Sequence, residues 1–468
     1  MFDRTASGQK PSEDDKKFEG ALLSVLQQEK RDYPTVMGGF NVASGNEFPV
    51  WSPIDKSIRF GMFQEPEAGI ARECVSAASR AFGGWASMGS GERASIFAKA
   101  LENVKSLRYR LAATVVVSSG MTREEALSEV DRLTEILESE TSRASSAAPP
   151  GKPKGVWAVI STHNSPLASP VGFAAAAMLA GNTVVVMPSV FCPVPVYSLY
   201  RVFEEAGLPP GVMNVLVDRR RGTMQELAND DRLAGVVASG SGSQMDDLMF
   251  LQVDDELMFV NEPKGMNPIM LYKAPNAREA AREILESAFI YSGQRLHSCS
   301  KVVVTAEEQK ELLDALLESA KGMVIDDPSE KGAFAGPLIS ESAMEKFLKT
   351  VESRRDKVVF GGTRVRKETT AEGFYVIPAI MMGLNEEDDL NYMDTGLPIL
   401  VIQLAKDLDD AIEKMFQTEC GLSAGIFSRD PAAIELFKAS VPAVRHSVNE
   451  GTAGMRPAQE ARMESFLV

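Results

Sequence analysis

Strand and helix patterns alternate through the middle of the chain, and this alternation limits the fold more than any other feature. Short β-branched runs occupy residues 156–160, 183–186 and 212–217, and the intervening segments 166–179 and 195–206 have helical spacing. This order predicts an α/β fold with a doubly wound parallel sheet, whose ligand lies at the carboxyl ends of the strands. No GxGxxG dinucleotide motif follows the first of these strands.

The pattern continues toward the carboxyl terminus. Strands are predicted at 235–238 and 257–260, with a helix at 243–251 between them, and a second run of strands and helices from 301 to 427 indicates a second α/β unit. With 468 residues, the chain is long enough for two or three units.

A polar loop stands out between a predicted helix and a predicted strand. Asn276 followed by Glu279 is typical of a helix start, and the β-branched run 302–304 indicates a strand. The loop at 294–299 between them is suited to chemistry, because rigid elements on both sides can hold its side chains. Leu296 is the unexpected residue in its centre.

The composition excludes several classes of protein. Acidic residues outnumber basic ones 65 to 49, and the net charge of −16 argues against nucleic acid or an anionic membrane as the partner. Four separated cysteines and three histidines predict a reducing compartment and no metal site. The polar, acidic amino terminus and the shortness of the apolar run 171–180 predict a cytoplasmic protein without a membrane span.

Several motifs in sequence order resemble those of the aldehyde dehydrogenase superfamily over roughly residues 35–450. They are GVWAVISTHNSP (155–166), AGNTVVVMPSV (180–190), EAGLPPGVMNV (205–215), NEPKGMNP (261–268), GPLI (336–339), GFYVIP (373–378), LPIL (397–400) and GLSAGIF (421–427). The loop at 294–299 is most similar to that of the 1-pyrroline-5-carboxylate dehydrogenase branch.

The resemblance implies a particular division of the chain. Residues 1–133 and 152–258 would form a Rossmann-like cofactor domain, and residues 259–445 a catalytic-type domain. A small oligomerisation element would be formed by residues 134–151 and 446–468. Within the first of these segments, a helix from 123 to about 138 is followed by a small polar run, which is predicted as a linker or hairpin. The expected assembly is a homodimer.

The resemblance also assigns roles at the reaction centre. Asn164 matches the oxyanion-binding asparagine, and Glu262 matches the general base, although a glutamate after a strand can also serve as a cap or ion-pair partner. Leu296 stands at the position of the nucleophilic cysteine and has no lone pair for attack. Cys299 matches a second, non-catalytic cysteine of the 1-pyrroline-5-carboxylate dehydrogenase branch. It is a poor substitute for the nucleophile, because three residues of extended chain displace it by up to about 10 Å.

The cofactor positions that the resemblance implies are partly altered. The lysine and glutamate that bind the adenosine ribose in the family fall on Met187 and Val190, which predicts weakened binding of NAD or NADP. Asp394 stands where the family has a glutamate that binds the nicotinamide ribose, and Gly396 stands at the adjoining aromatic position. His163 stands at the aromatic position on the substrate side. The remaining candidate cofactor residues are Ser161, Ser189, Ser239, Gly240 and Ser241.

Three functional hypotheses follow from these substitutions. In the first, the chain is an inactive or impaired family member that still binds a small ligand or aldehyde. In the second, it is an NAD(P)-dependent oxidoreductase with an altered site based on Cys299 or Glu262. In the third, it is a structural partner of an active paralogue.

Overall fold

The computed structural model describes residues 12–27, 31–146, 151–240, 265–417, 422–454 and 462–468, together with the backbone of 258–262. Its strands are β1 (Asp32–Tyr33), β2 (Thr35–Met37), β3 (Phe40–Val42), β4 (Glu47–Trp51), β5 (Arg59–Gln64), β6 (Val156–Ser161), β7 (Thr183–Met187), β8 (Met213–Val215), β9 (Leu233–Ser239), β10 (Met258–Glu262), β11 (Ile269–Leu271), β12 (Lys301–Thr305), β13 (Val358–Phe360), β14 (Thr363–Arg364), β15 (Val376–Ile377), β16 (Ala379–Met382), β17 (Ile399–Ala405), β18 (Ser423–Phe427) and β19 (Arg445–Val448).

Its helices are α1 (Glu13–Leu26), α2 (Ile70–Ser87), α3 (Ser90–Ser106), α4 (Arg108–Ser119), α5 (Arg123–Ser146), α6 (Ala168–Leu179), α7 (Val194–Ala206), α8 (Arg221–Ala228), α9 (Ala277–Phe289), α10 (Gln309–Ala320), α11 (Glu341–Glu352), α12 (Leu408–Phe416) and α13 (Pro431–Ser440). Short 3₁₀ turns connect some of these elements, including Ile290–Gly293, which leads into the polar loop.

The first large sheet has the strand order β10-β9-β6-β7-β8-β2-β3, and the five strands from β10 to β8 are parallel. Its central strand β6 is buried along its whole length, because Trp157 and Val159 pack into one core while Val156, Ala158 and Ile160 pack into another. Apolar layers on both faces are what a doubly wound sheet requires. The prediction of a doubly wound parallel sheet is therefore confirmed.

The second large sheet has the order β13-β16-β17-β12-β11-β18-β19 and is parallel except for β13. It also has apolar cores on both faces, with Val302 and Val304 on one side of β12 and Val303 on the other. The predicted second α/β unit is thus confirmed. The loop at 294–299 precedes β12, in the middle of this sheet.

The end of helix α5 differs from its prediction. The helix continues to Ser146 and includes residues 142–146, which were predicted to begin a linker or hairpin. The hydroxyl groups of Ser145 and Ser146 donate to the carbonyls of Thr141 and Ser142, each at 2.9 Å, and Ala144 is buried. Burial of Thr141 and Ala144 and the ion pair of 3.0 Å between Arg143 and Glu140 anchor this end of the helix within a polar sequence. The helix predicted at 243–251 lies outside the described residues.

The carboxyl-terminal residues, which have no clear sequence period, pack onto the first sheet. Phe466 lies edge-on to Trp157 with ring centroids 4.7 Å apart, and its carbonyl accepts a hydrogen bond of 2.9 Å from Asn182 Nδ2. Val468 N donates to the carbonyl of Lys152 at 3.0 Å. Within the described part of the chain, no helix combines the length and the apolar character needed to cross a membrane.

Lys301 at the start of β12 is a fully buried amine. Its Nζ donates to the carbonyls of Asn391 and Lys414 at 3.1 and 2.8 Å. Burial, aided by the charge of Lys414, lowers the pKa of Lys301 from 10.5 to about 7. Between these two values the unfolded chain binds a proton that the folded chain releases, so this residue makes the folded state more stable as pH rises.

We therefore expect the unfolding free energy of the native chain, minus that of Lys301→Met, to rise between pH 7 and 10. Urea titrations of both proteins at one-unit pH intervals measure this difference. Lys438→Met, at an exposed lysine paired with Glu435, is the control and should give a flat difference. A flat difference for Lys301→Met as well would show that the amine keeps its proton in the folded protein.

Candidate functional site

The polar loop is held by unusual backbone geometry just before it begins. Tyr291, Ser292 and Gly293 have positive φ values of 52°, 51° and 68°, and the first two are therefore in a conformation that is costly for residues with a side chain. Tyr291 Oη donates to the carbonyl of His163 at 3.1 Å, and Ser292 Oγ donates to that of Gly336 at 2.7 Å. A Cβ atom on Gly293 would lie 3.0 Å from Pro398 Cα.

Two buried amides fix the loop itself. Gln294 Nε2 donates to the carbonyl of Tyr291 at 3.0 Å, and its Oε1 accepts from Ile339 N at 2.8 Å. Asn267 Nδ2 donates to the carbonyls of Leu296 and Ser298 at 2.9 and 3.1 Å. Its Oδ1 accepts from the amide and the hydroxyl of Ser423 at 3.0 and 3.1 Å, which ties the loop to β18.

Leu296 lies beside the oxyanion candidate Asn164. The leucine is 7% exposed, and both residues line a cavity of about 520 Å³. Asn164 Nδ2 donates to the carbonyl of Gln294, and its Oδ1 accepts from Thr162 Oγ1. The structure thus brings together the position predicted for the nucleophile and the amide predicted to bind the oxyanion.

Cys299 lies on the other side of the loop and does not line this cavity. Its side chain packs among the apolar residues of the second unit, including Ile284 and Val302, and Sγ is 3.2 Å from the carbonyl of Lys301. Burial raises the pKa of the Cys299 thiol to about 12. A buried thiol with a raised pKa is a poor nucleophile, because the thiolate is the reactive species.

Charged groups on α5 and the loop form much of the cavity wall. Arg295 and His297 reach it from the loop, and Arg132 reaches it from α5. Glu129 is engaged with the start of α6, because its Oε2 accepts from Ser165 Oγ and from Ala168 N, both at 3.0 Å. This carboxylate holds the helix that follows Asn164 in place.

Buried titratable groups extend behind this wall. Glu125 is buried 4.0 Å from Arg295 Nη2, and its Oε2 accepts from Thr122 N at 2.6 Å. Burial raises the pKa of Glu125 despite the nearby charge of Arg295. The sequence did not predict this wall, because Glu125, Glu129 and Arg132 lie on an amphipathic helix, where charged residues are typical of a solvent-exposed face. The adjacency of Arg295 and His297 to Leu296 was the available signal.

The predicted cofactor residues lie at the carboxyl ends of neighbouring strands. Ser161 ends β6 and pairs in register with Ser239 at the end of β9, and Met187 ends β7. Gly240 has a φ of 144°, and a Cβ atom there would come within 2.0 Å of Thr162 Oγ1. The chain thus needs glycine where the family resemblance implies close approach of the pyrophosphate.

The side of this crevice that the resemblance predicts to face the ribose is apolar. Met187 is 6% exposed, and Val190 packs against the main core of the first unit. Ser189 Oγ accepts from Phe191 N at 3.3 Å, and the Phe191 ring stands edge-on to His163 with a centroid distance of 6.1 Å. Burial lowers the pKa of His163 to about 4, which makes its imidazole neutral at physiological pH.

The other predicted site residues are described to different extents. Asp394 is buried, and its Oδ1 accepts from Gly396 N at 3.0 Å, which shapes the backbone beside it. Glu262 ends β10 in register with Ser239, but its side chain and all of Ser241 lie outside the described residues. Among described residues, no group of three or more potential ligands from His, Cys, Asp and Glu is arranged to hold a metal ion.

Comparison with known proteins agrees with this geometry. A sequence model described as "Aldehyde dehydrogenase family" matches residues 40–461. The chain belongs to the aldehyde dehydrogenase family. The predicted fold, with a Rossmann-like unit and a second α/β unit, is confirmed as an aldehyde dehydrogenase fold.

Relatives with curated names are distant. A 1-pyrroline-5-carboxylate dehydrogenase from Geobacillus sp. is 26% identical over 461 residues, covering 94% of this chain and 89% of the relative. A 2,5-dioxopentanoate dehydrogenase from Saccharolobus solfataricus is also 26% identical, covering 88% of this chain and 89% of the relative. A solved 1-pyrroline-5-carboxylate dehydrogenase from Thermus with bound NAD aligns with a TM-score of 0.90 at 21% identity, covering 99% of this chain and 98% of that one.

Proposed function

We propose that this chain is an aldehyde dehydrogenase family member that binds a small ligand in the cavity beside Leu296 and does not oxidise aldehydes through a cysteine thiolate. The observation that carries this proposal is that Leu296, at the position of the family's nucleophile, lines the same cavity as Asn164. An alkyl side chain cannot form the covalent intermediate on which thiolate catalysis depends.

The surroundings of Cys299 support the same proposal. Its sulfur lies in an apolar core, and its backbone nitrogen donates to the carbonyl of Ser287 at 2.9 Å. Attack from Cys299 would require this segment to leave the core and the thiol to ionise against a raised pKa. General acid–base chemistry by Glu262 alone would lack a covalent partner, and we therefore place it second.

We propose that NAD and NADP bind weakly. Ser161, Ser239 and Gly240 keep the strand ends suited to a pyrophosphate, whereas Met187 and Val190 offer neither a cation nor a carboxylate to the ribose. Each lost charged hydrogen bond costs about 1.5–3 kcal/mol. The names of the relatives suggest a small aldehyde or a related organic acid as the ligand.

Several further features remain predictions that rest on the family resemblance. They are the domain boundaries at 1–133, 152–258 and 259–445, a homodimer formed through 134–151 and 446–468, the cytoplasmic location and the absence of nucleic acid or membrane partners. A role as the structural partner of an active paralogue is compatible with the same site.

The proposal is tested by following NADH and NADPH formation by the purified chain with aliphatic aldehydes of two to six carbons. We expect no aldehyde-dependent reduction above the buffer rate, because no cysteine among the described residues lines the cavity. Cys299→Ala is the matched variant and should behave as the native chain does. Aldehyde-dependent reduction by the native chain would overturn the proposal, whether Cys299→Ala abolishes it or leaves it unchanged.

A further inference from the structure

The cavity beside Leu296 has the size of a small-molecule site. Its volume of about 520 Å³ falls within the range of about 300–1,000 Å³ that is typical of such sites. The cavity has an apolar portion formed by Leu127, Leu296 and Leu422. Of these, Leu296 is the residue at the position of the family's nucleophile. An aliphatic chain fits this portion, because burying apolar carbon there removes it from water.

The charged portion of the cavity is partly neutralised from within. Arg108 forms a bidentate pair with Asp131 at 2.5 Å, and Glu129 is occupied by Ser165 and Ala168. Glu124 and Glu135 also line the cavity. Arg295 differs from Arg108, since its guanidinium has long contacts: the carbonyl oxygen of Ala453 at 3.5 Å and Glu125 Oε1 at 4.0 Å. A ligand carboxylate would give this guanidinium a closer partner.

His297 adds an unsatisfied acceptor to the same wall. The imidazole hydrogen-bonds to the backbone of Ala453, and this bond favours the protonated ring, as a bond that the ring donates does. Since Nε2 has no partner within the described part of the chain, Nδ1 is the donor, and Nε2 is the nitrogen without a proton in the neutral ring. Nε2 is buried and has no hydrogen-bond partner among the described residues. A buried acceptor without a donor is costly, so a ligand hydroxyl that donates to Nε2 would be favoured.

The electric field at His297 selects the kind of donor. Burial, followed by the charges of Arg295 and Arg132, lowers the pKa of the imidazole to about 3. The two guanidinium groups that oppose a proton on this ring also oppose an ammonium group placed beside it. A neutral hydroxyl can donate to Nε2 without that repulsion.

We propose that the cavity binds a small aliphatic carboxylate that carries a hydroxyl on the carbon next to the carboxylate. The carboxylate contacts Arg295, the hydroxyl donates to His297 Nε2, and the alkyl chain lies against Leu296 and Leu422. This inference rests on the proposed ligand-binding function and names the chemical class of the ligand.

Calorimetry with three five-carbon acids tests the assignment on the native chain, with neither aldehyde nor dinucleotide present. We expect 2-hydroxypentanoate to bind at least about fivefold more tightly than pentanoate, and 2-aminopentanoate to bind no more tightly than pentanoate. Equal affinity for the first two acids, tightest binding of the amino acid, or no binding of any of them at millimolar concentration would overturn the proposal.

Variants separate the two polar contacts. His297→Phe should reduce the preference for 2-hydroxypentanoate to less than twofold and leave the affinity for pentanoate within twofold of the native value. Arg295→Gln should weaken both acids at least tenfold, whereas Arg201→Gln, at an exposed arginine paired with Glu204, should change neither. A preference for the hydroxy acid that survives in His297→Phe would remove His297 from the assignment.

The outcome is separable from that of the proposed function. Turnover of an aldehyde by the native chain would overturn the non-catalytic proposal and leave the preference among the three acids unchanged. Absence of turnover together with equal affinities would overturn the ligand assignment alone. Thermal melts of each variant establish that it is folded, and the comparison of acids on the native chain does not depend on any variant.

Discussion

Leu296→Cys alone should form NADH from an aldehyde and NAD at a rate within about tenfold of the native background. The triple variant that adds Met187→Lys and Val190→Glu should exceed the rate of the single variant at least about 100-fold. The single variant places a sulfur at the cavity that Asn164 lines but leaves the predicted ribose side of the crevice apolar. Two charged hydrogen bonds of about 1.5–3 kcal/mol each correspond to a factor of about 10²–10⁴ in kcat/KM at low NAD concentration.

The measurement is the initial rate of NADH formation at NAD concentrations below KM, with pentanal as the substrate. Adding Cys299→Ala to both variants is the control and should change neither rate, because that thiol lies in the core. Vigorous turnover by the single variant would show that Met187 and Val190 matter much less for cofactor binding than the family resemblance predicts. An inactive triple variant would place the defect elsewhere in the cavity.

Asn267→Asp should lower the free energy of unfolding by about 3 kcal/mol or more. The substitution keeps the shape of the side chain and suits the positive φ of 46°, so backbone strain is not the cause. It turns the donor to the carbonyls of Leu296 and Ser298 into a carboxylate oxygen that repels both, inside a fully buried site.

Urea denaturation at pH 7 measures this loss, and Asn229→Asp at an exposed position is the matched control, with an expected change within about 0.5 kcal/mol. The loop should also become more accessible, so limited proteolysis between 294 and 299 should accelerate in Asn267→Asp. A loss of stability below 1 kcal/mol would mean that the loop is held mainly by Gln294 and by the backbone of 291–293.

The sequence predicts the layered architecture well because the strands that build it are buried on both faces. Residues 156–160 and 302–304 are uninterrupted apolar runs, and such runs have few alternatives to a central parallel strand. The end of α5 was predicted wrongly because contacts that residue preferences do not reveal hold its last turns: Ala144 is buried, and Glu140 accepts a hydrogen bond of 2.8 Å from Met463 N.

The candidate site was predicted unevenly for a different physical reason. Asn164, Leu296 and Cys299 could be placed from motif spacing, and the structure puts the first two at the cavity and the third in the core. The roles of Asn267 and His297 depend on contacts between segments far apart in sequence: Asn267 joins the loop to Ser423, and His297 meets Ala453. No local pattern encodes such pairings.

The anchoring of the polar loop has an evolutionary consequence. The groups that hold it are Asn267, Gln294, Ser292 and the left-handed backbone of 291–293, and none of them needs the atom that would perform the chemistry. On the proposed function, an alkyl group in place of a sulfur at 296 removes reactivity without removing the forces that shape the loop. Selection for a stable fold could retain this architecture long after selection for turnover had ceased, and the same independence would let activity return through few substitutions.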